Sequence, residues 1–317
     1  MNVLHETVTD RFSLSNADCV DVVRALPDAS IDYSIFSPPF ASLYTYSNSP
    51  RDMGNVRTEA EFIEHFSYLA TELARVLKPG RLVSMHCMLL PTSKAFHGYI
   101  GLSDFRGSLI RAMQAAGFIF HSEVVIWKDP VTAMQRTKAL GLLYKQVKKN
   151  AAMSRQGIPD YLVTMRKPGD NPDPVVHTED DMPVALWQRY ASPVWVTTEG
   201  VDSEGFAICT GKEIADDDAS SIHPGNTLQG RSAREDADER HICPLQLSVI
   251  RRGIKLWTNK NDVVLSPFAG IGSEGYVALQ EGRRFVGAEL KTSYYEQASR
   301  NLHEAGMVRQ PSLFGAV

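Results

Sequence analysis

Residues 262–289 read DVVLSPFAGIGSEGYVALQEGRRFVGAE and contain the pattern that decides the fold. The apolar run Asp262–Ser266 predicts a strand, a glycine-rich turn follows it, Glu274–Gln280 predicts a helix, and Arg284–Leu290 predicts a second strand. Strands that alternate with helices across tight turns are typical of α/β proteins with parallel sheets. The stretch therefore predicts an α/β fold with a mostly parallel sheet.

The turn between this strand and helix has the composition of a nucleoside-binding site. Glycine lets a ligand approach the backbone closely, and the first turn of a helix offers free N–H groups. Glu289 ends the following strand, where a carboxylate can accept two ribose hydroxyls. The candidate cofactor-binding residues of this stretch are Pro267, Phe268, Ala269, Gly270, Gly272, Ser273 and Glu289.

Two other interpretations of this turn stay open. The spacing Gly270-x-Gly272-x-x-Gly275 matches the dinucleotide fingerprint, so a nicotinamide- or flavin-dependent enzyme is one alternative. Only 28 residues follow Glu289, so the remaining strands of such a sheet must precede the turn in the chain, in a circularly shifted order. A tight glycine turn that binds no ligand is the second alternative.

A second chemical motif follows the early apolar run Ser30–Phe36, which predicts a strand. Ser37-Pro38-Pro39-Phe40 ends that strand, because two prolines cannot continue a ladder. The stiff backbone can hold the Ser37 hydroxyl and the Pro38 carbonyl as two acceptors for a planar NH2 group, and Phe40 offers a flat face to a base. The candidate catalytic residues are therefore Ser37, Pro38, Pro39 and Phe40, and an ordinary proline turn is the alternative.

Further strands and helices are predicted around the two motifs. Apolar residues at helical spacing predict helices over Glu59–Leu77, Phe105–Ala116 and Leu245–Trp257. Strands are predicted over Arg81–Cys87 and Phe118–Trp127. The residues that carry chemistry are then expected at the carboxyl ends of strands, together at one edge of the sheet.

The middle of the chain differs from both ends in charge. Residues 128–167 carry a net charge of +7 and residues 170–240 a net charge of −11, with proline-rich punctuation. This region is interpreted as an inserted or appended module rather than more sheet. Its basic residues could lie along phosphates on a helix face, although a solvated helix face is the alternative. The candidates are Arg136, Lys138, Lys145, Lys148, Lys149 and Arg155.

Composition excludes several classes of protein. The 317 residues are 43% hydrophobic and 22% charged, which is typical of a globular chain, and the net charge of −4 excludes a globally basic coat. No apolar run is long enough for a membrane span. Four scattered cysteines predict reduced thiols in a cytoplasmic protein rather than a zinc or disulfide framework. No metal site is predicted, and His86, His97 and His121 are interpreted as structural or surface residues.

Four short motifs follow one another in an informative order. They are Asn16-Ala17-Asp18, Ser37-Pro38-Pro39-Phe40, Lys78-Pro79-Gly80-Arg81 and Ser266-Pro267-Phe268-Ala269-Gly270-Ile271-Gly272. Together they resemble the S-adenosylmethionine-dependent DNA amino-methyltransferases, and a catalytic motif that precedes the cofactor motif is the arrangement of the β class. The resemblance covers roughly residues 14–130 and 241–300. Ser266 stands where many members of the family carry Asp.

The resemblance implies a Rossmann-like sheet with a circularly permuted motif order and an inserted target-recognition region. Residues 1–130 would form the catalytic half, residues 131–240 the target-recognition region and residues 241–317 the cofactor-binding half. S-adenosylmethionine would be the cofactor, with Asp18 near its adenosine. The segment that includes His241, Cys243 and Pro244 would lie beside its methionine part.

The same resemblance implies methyl transfer to the exocyclic amino group of adenine or cytosine in double-stranded DNA, after base flipping. Both target bases stay open. A bacterial or phage-encoded cytoplasmic enzyme is expected, with a homodimer among its expected assemblies. Besides the oxidoreductase, a non-catalytic DNA-binding module that uses the basic segment is an alternative.

Overall fold

The computed structural model describes residues 3–40, 51–127, 144–195, 200–201, 207–208, 226–228 and 245–307. Five of the sequence-predicted site residues lie outside these ranges. They are Arg136, Lys138, His241, Cys243 and Pro244.

Strands and helices alternate through most of the described chain. Its strands are β1 His5–Val8, β2 Phe12–Asn16, β3 Ile31–Phe36, β4 Leu77–Met88, β5 Leu90–Pro91, β6 Leu102–Ser103, β7 Ile119–Ile126, β8 Asp160–Arg166, β9 Val194–Trp195, β10 Gly200–Val201, β11 Ala207–Ile208, β12 Val263–Ser266 and β13 Arg284–Glu289. Its helices are α1 Cys19–Ala25, α2 Glu59–Val76, α3 Lys94–His97, α4 Phe105–Ala115, α5 Tyr144–Asn150, α6 Val184–Tyr190, α7 Leu247–Trp257, α8 Ser273–Gln280 and α9 Thr292–Met307.

A nine-stranded sheet in the order β1-β2-β13-β12-β3-β4-β8-β7-β9 forms the centre of the protein. The five strands from β2 to β4 are parallel, which confirms the predicted α/β fold with a mostly parallel sheet. β12 and β13, which come from the last part of the chain, lie between β2 and β3, which come from its beginning. The order of the strands in the sheet therefore differs from their order in the chain.

Helices cover both faces of the sheet. One core cluster joins the sheet to α2 and α4 through side chains such as Phe62, Phe66 and Leu109, which are fully buried. A second cluster on the other face includes Ile250 of α7 and Leu302 of α9. The predicted helices agree with α2, α4, α7 and α8 to within two residues at each end. No helix in the described ranges is both long and apolar enough to cross a membrane.

The expectation that the middle of the chain contains no sheet is wrong for Asp160–Arg166. This segment is β8, and it pairs antiparallel with β4 on one side and β7 on the other. Leu162, Val163 and Met165 of β8 are fully buried, so the strand is part of the core. The charge of the surrounding segment conceals this strand, because its apolar run is short. β4 also begins at Leu77, before the predicted start at Arg81.

A buried ion network joins three strands at the amino edge of the parallel sheet. The Arg81 guanidinium, 2% exposed, donates to Asp262 at 3.0 Å and to Asp32 at 3.3 Å. Lys78 also pairs with Asp32, at 2.7 Å. The second carboxylate oxygen of Asp32 accepts the backbone N–H of Val263 at 2.8 Å. The network therefore ties the start of β12 to β3 and β4.

Replacing Arg81 tests this network. The substitution Arg81→Met leaves buried carboxylates without their main partner, so we expect the free energy of unfolding to fall by about 3 kcal/mol. Urea denaturation of both proteins measures the change. The matched control is Arg111→Met, which removes an exposed pair with Asp104 and should cost less than about 1 kcal/mol. Equal losses in the two variants would contradict a structural role for the network.

Candidate active site

The two sequence motifs lie side by side at the carboxyl edge of the sheet. β3 and β12 are paired in parallel, with Tyr33 opposite Val264 and Ser34 opposite Leu265. The chain therefore leaves both strands at the same edge, with the proline motif following β3 and the glycine turn following β12. The rings of Phe36 and Phe268, 5.6 Å apart between centroids, are in contact across this boundary.

The three glycines in and after the turn that follows β12 are each required by the local structure. Gly270 and Gly272 have φ angles of +54° and +88°, in the left-handed region that side chains disfavour. A Cβ on Gly272 would also lie 3.2 Å from Ala298 of α9. Gly275 lies inside α8, where a Cβ would lie 2.6 Å from the Phe285 ring. The third glycine of the fingerprint therefore permits close packing of helix against strand.

Glu289 lies at the end of β13 and its carboxylate is already fixed by the backbone. One oxygen accepts the N–H of Gly270 and the other accepts the N–H of Lys291, both at 2.8 Å. Burial raises the pKa of Glu289 to about 7, although these two hydrogen bonds oppose the rise. Each carboxylate oxygen keeps a second lone pair, so the oriented carboxylate can still accept two hydroxyls.

Asp18 lies at the end of the neighbouring strand. It follows β2, whose Asn16 is opposite Glu289 in the parallel pairing with β13. The Asp18 side chain accepts the N–H groups of Val20 at 2.9 Å and Asp21 at 3.3 Å, and so caps α1. Asp18 and Glu289 are thus brought to one edge, and the position of Asp18 near an adenosine stays a prediction.

Several buried polar atoms at this edge have no hydrogen-bond partner among the described residues. They are the Oγ atoms of Ser266, Ser273 and Ser248 and the Oε1 of Gln246. Ser266 ends β12 and Ser273 begins α8. Gln246 is the N-cap of α7, and because α7 ends before the amino end of β12, its first turn lies towards the carboxyl edge. An unmade buried hydrogen bond costs about 1–3 kcal/mol, so such a group indicates a site for a polar ligand or water. Gln246 and Ser248 were not predicted, since no motif marks them.

The Ser37-Pro38-Pro39-Phe40 motif is held by side chains from two further strands. The Ser37 Oγ lies 2.9 Å from Nδ1 of His86 in β4, and Nε2 of His86 lies 2.9 Å from the Asp160 carboxylate in β8. Both partners are buried, with 6% and 1% of their surfaces exposed. Ser37 itself is half-buried and Pro38 is buried.

Phe40 is half-buried and packs against the same cluster. Its ring centroid lies 6.1 Å from that of His86 and 6.4 Å from that of Phe105. No sequence motif assigns His86 or Asp160 a role in the site. The position of His86 near the end of a predicted strand was the available signal, whereas Asp160 belongs to the strand that sequence patterns missed.

The basic candidates separate into two groups. Lys145, Lys148 and Lys149 are on α5, a helix in which no residue is buried. Arg155 lies beyond the end of that helix, so the expectation that it shares a basic helix face with the lysines is wrong. Its Nε and Nη1 are buried without a hydrogen-bond partner among the described residues, and burial lowers its pKa. The three lysines therefore lie on an exposed helix, whereas the Arg155 side chain is partly enclosed by the protein.

Known proteins provide an independent comparison. The N6/N4 methyltransferase family model, described as DNA methylase, matches residues 31–300. The type II methyltransferase M.BglII of Bacillus subtilis is 22% identical over 285 residues, which cover 89% of this chain and 66% of that protein. The DNA adenine methyltransferase YhdJ of Escherichia coli K12 is 36% identical over 84 residues, which cover 26% of this chain and 29% of that protein. The chain thus matches less than two thirds of the length of these relatives.

Solved structures share the fold at low sequence identity. TTHA0409 from Thermus thermophilus, complexed with S-adenosyl-L-methionine, superposes with a TM-score of 0.62 and 19% identity, covering 94% of this chain and 96% of its own. The cytosine-N4-specific PvuII DNA methyltransferase superposes with a TM-score of 0.63 and 16% identity, covering 95% of this chain and 90% of its own. Both matches extend over nearly the whole chain.

A buried carboxyl group beside Glu289 makes the stability of the protein depend on pH. Glu274, 4% exposed in the first turn of α8, has its pKa raised to about 8 by burial, with a further contribution from the Glu289 charge. Because this pKa lies above the unfolded value of about 4.3, the protonated form stabilises the fold and that stabilisation is lost as pH rises through about 8.

We therefore expect Glu274→Gln to melt at a higher temperature than the wild type at about pH 9, and at nearly the same temperature at about pH 5. Differential scanning calorimetry at both pH values measures the difference. Glu281→Gln is the control, since Glu281 is ion-paired with Arg251 at 2.9 Å and should show no gain at the higher pH. A pH-independent effect of Glu274→Gln would contradict the assignment.

Proposed function

The chain belongs to the DNA methylase family whose model spans residues 31–300, and we propose that it transfers a methyl group from S-adenosylmethionine to an exocyclic amino group in double-stranded DNA. The amine acceptor would be adenine N6 or cytosine N4. One observation carries the proposal: the parallel pairing of β3 with β12 places the Ser37–Phe40 motif beside the Gly270–Gly272 turn. An amine site and a nucleoside site at one sheet edge suit group transfer between two ligands.

The described residues fit the cofactor. The Glu289 carboxylate, fixed by two backbone N–H groups, would accept the ribose hydroxyls, and Asp18 would lie near the adenosine. The unpartnered hydroxyls of Ser266 and Ser273 would bind polar groups of the methionine part. The segment that ends at Pro244 is proposed beside that part. S-adenosylmethionine supplies an electrophilic methyl group carried on a sulfonium.

The remaining predicted residues of the turn have a shaping role in this proposal. Pro267 and Ala269 are buried and Phe268 packs on Phe36, so these side chains anchor the turn between β12 and α8 against the core. A preformed site binds without the cost of ordering its own loop.

The target amine would be held by the proline motif. The Ser37 hydroxyl and the Pro38 carbonyl would accept the two hydrogens of the planar NH2 group, which draws the nitrogen lone pair out of conjugation with the ring. The nitrogen can then act as a nucleophile without prior loss of a proton. Phe40 would stack on a base that has been flipped out of the duplex. The protein contribution is therefore positioning and electrostatics.

Binding of DNA is proposed for the middle of the chain. The lysines of α5 would contact phosphates, and residues 131–240 would include the target-recognition region between a catalytic half and a cofactor-binding half. β8 ties this region into the central sheet. A homodimer is retained as part of the proposal for the assembly.

The two alternatives explain less of the site. An oxidoreductase gives no role to Ser37-Pro38-Pro39-Phe40, and the packing of Gly275 against Phe285 accounts for the third glycine of the fingerprint. A non-catalytic DNA-binding module gives no role to the oriented Glu289 carboxylate.

Sequencing that reads base modifications directly tests the proposed function. DNA from cells that express the protein should carry N6-methyladenine or N4-methylcytosine at one sequence motif, and DNA from cells without the gene should not. The same experiment identifies the target base and the recognition sequence. Unmodified DNA, together with purified protein that incorporates no labelled methyl group into that DNA, would contradict the proposal.

The substitution Ser37→Ala tests the amine site. Because it removes one acceptor for the target amine, we expect kcat for methyl transfer to fall by at least ~100-fold. The cofactor affinity should stay within about twofold of the wild type, because Ser37 follows β3 whereas the proposed cofactor turn follows β12. Labelled methyl incorporation and calorimetry measure the two quantities. Ser30→Ala, at the opposite end of the same strand, is the control that should retain activity.

The lysines of α5 have a separate test. If each contacts one phosphate, the slope of log K against log salt concentration should decrease by about 0.9 for each lysine removed. Replacing Lys145, Lys148 and Lys149 together with Ala should therefore reduce the slope by up to about 3. Fluorescence anisotropy with a DNA duplex at several salt concentrations measures it. Lys260→Ala is the matched control, and an unchanged slope in the triple variant would exclude α5 from the interface.

A further inference from the structure

Resting on the proposed function, we propose that His86 and Asp160 are positioning residues that act on the target amine through Ser37. They hold the Ser37 hydroxyl as a hydrogen-bond acceptor and take up the proton that the amine releases after methyl transfer. Neither residue belongs to the motif by which the family is recognised in the sequence.

The geometry is a chain of two hydrogen bonds along the carboxyl edge of the sheet. Ser37 follows β3, His86 lies in β4, and Asp160 is the first residue of β8, three strands that are consecutive in the sheet. The Ser37 Oγ to His86 Nδ1 distance and the His86 Nε2 to Asp160 Oδ2 distance are both 2.9 Å. The histidine and the aspartate are buried, whereas Ser37 is only half-buried. The two hydrogen bonds therefore connect the interior of the protein to the place where the amine would bind.

This arrangement fixes the direction of the Ser37 hydroxyl. An Asp160 carboxylate can only accept, so Nε2 of His86 carries the hydrogen that it donates to Asp160. Nδ1 is then unprotonated and accepts the hydroxyl hydrogen of Ser37. The lone pairs of the Ser37 oxygen are left to accept an N–H group of the target amine. Without His86 the hydroxyl is free to rotate and can point its hydrogen at the amine instead.

The same two hydrogen bonds also allow His86 to receive the proton that the amine releases. After methyl transfer the target nitrogen carries four substituents, namely the ring carbon, the methyl group and two hydrogens, and a positive charge. Its N–H bond breaks as the Ser37 oxygen takes the proton, and the original hydroxyl proton of Ser37 passes to Nδ1 of His86. Asp160 stabilises the resulting imidazolium, and the product is a neutral N-methylated base. His86 later returns the proton to water, so no other reactant is needed.

Histidine makes this step feasible where serine alone does not. A serine hydroxyl is a very weak base, whereas imidazole is the side chain that most often accepts protons in enzyme active sites. In serine hydrolases an aspartate fixes the histidine tautomer in the same manner, and losing that carboxylate reduces kcat by about 10⁴-fold.

Asp160→Asn is the most informative variant. The asparagine amide can donate to Nε2, which moves the ring hydrogen to Nδ1 and makes His86 a donor to the Ser37 oxygen. We expect the single-turnover rate of methyl transfer to fall by at least ~100-fold. The KM for DNA and the cofactor affinity should each change by less than about threefold, because Asp160 is buried and is proposed to act only through His86. Asp160→Glu, which restores a carboxylate, should recover part of the rate.

A matched control removes another buried hydrogen bond between the same two strands. Ser84 in β4 and Thr164 in β8 share a buried hydroxyl pair at 2.9 Å that includes neither His86 nor Asp160. Thr164→Val loses that bond and should retain the methyl-transfer rate within about threefold, even if its melting temperature falls. The comparison separates a role in the reaction from a general loss of strand pairing.

The outcomes distinguish this inference from the proposed function. If the wild type methylates DNA and Asp160→Asn does so at a similar rate, the role of His86 and Asp160 is overturned and the function stands. If the wild type does not methylate DNA, the function itself fails. Should Asp160→Asn not fold, His86→Asn provides the same test, and a folded His86→Asn protein with the wild-type rate overturns the inference.

Discussion

The pairing of β3 with β12 is the constraint on which the rest of the structure depends. The two strands are 231 residues apart in the chain, and side chains of β3 reinforce the ladder between them. Ser34 donates to the carbonyl of Leu265 at 3.0 Å, and Asp32 accepts the N–H of Val263 at 2.8 Å. Because all of these groups are buried or nearly so, another register would leave several polar atoms without partners. One register therefore determines which two loops meet at the carboxyl edge.

The buried polar groups at the two edges of the sheet differ in their partners. At the amino edge Arg81 pairs with Asp32 and Asp262 and holds the strands together, although its Nε is buried without a hydrogen-bond partner among the described residues. At the carboxyl edge the hydroxyls of Ser266 and Ser273 are buried without partners among the described residues, and the Glu289 carboxylate is oriented by the backbone with a raised pKa. Unsatisfied buried polar groups are costly, so the hydroxyls that flank the turn after β12 mark a place where a polar ligand would complete the structure. The ion network and the proposed site thus lie at opposite ends of the same strands.

Much of this arrangement can be predicted from the sequence. The contacts that could not be predicted were missed for physical reasons. Strand ends carrying Pro-Pro or Gly-x-Gly are local signals, and parallel α/β topology then predicts that they share an edge. Asp160 was missed because its strand is seven residues long within a charged region. Its bond to His86 spans 74 residues and the bond of His86 to Ser37 spans 49, separations that leave no spacing pattern. The buried setting of Arg155 likewise depends on tertiary contacts rather than on the local run of charge.

A crystal structure of the protein with S-adenosylmethionine tests the shared edge most directly. We expect the ribose hydroxyls to contact Glu289 and the methyl group to face Ser37 across a space large enough for one base. Cofactor bound away from the turn after β12, or bound there with its methyl group directed away from the proline motif, would contradict a shared site at this edge.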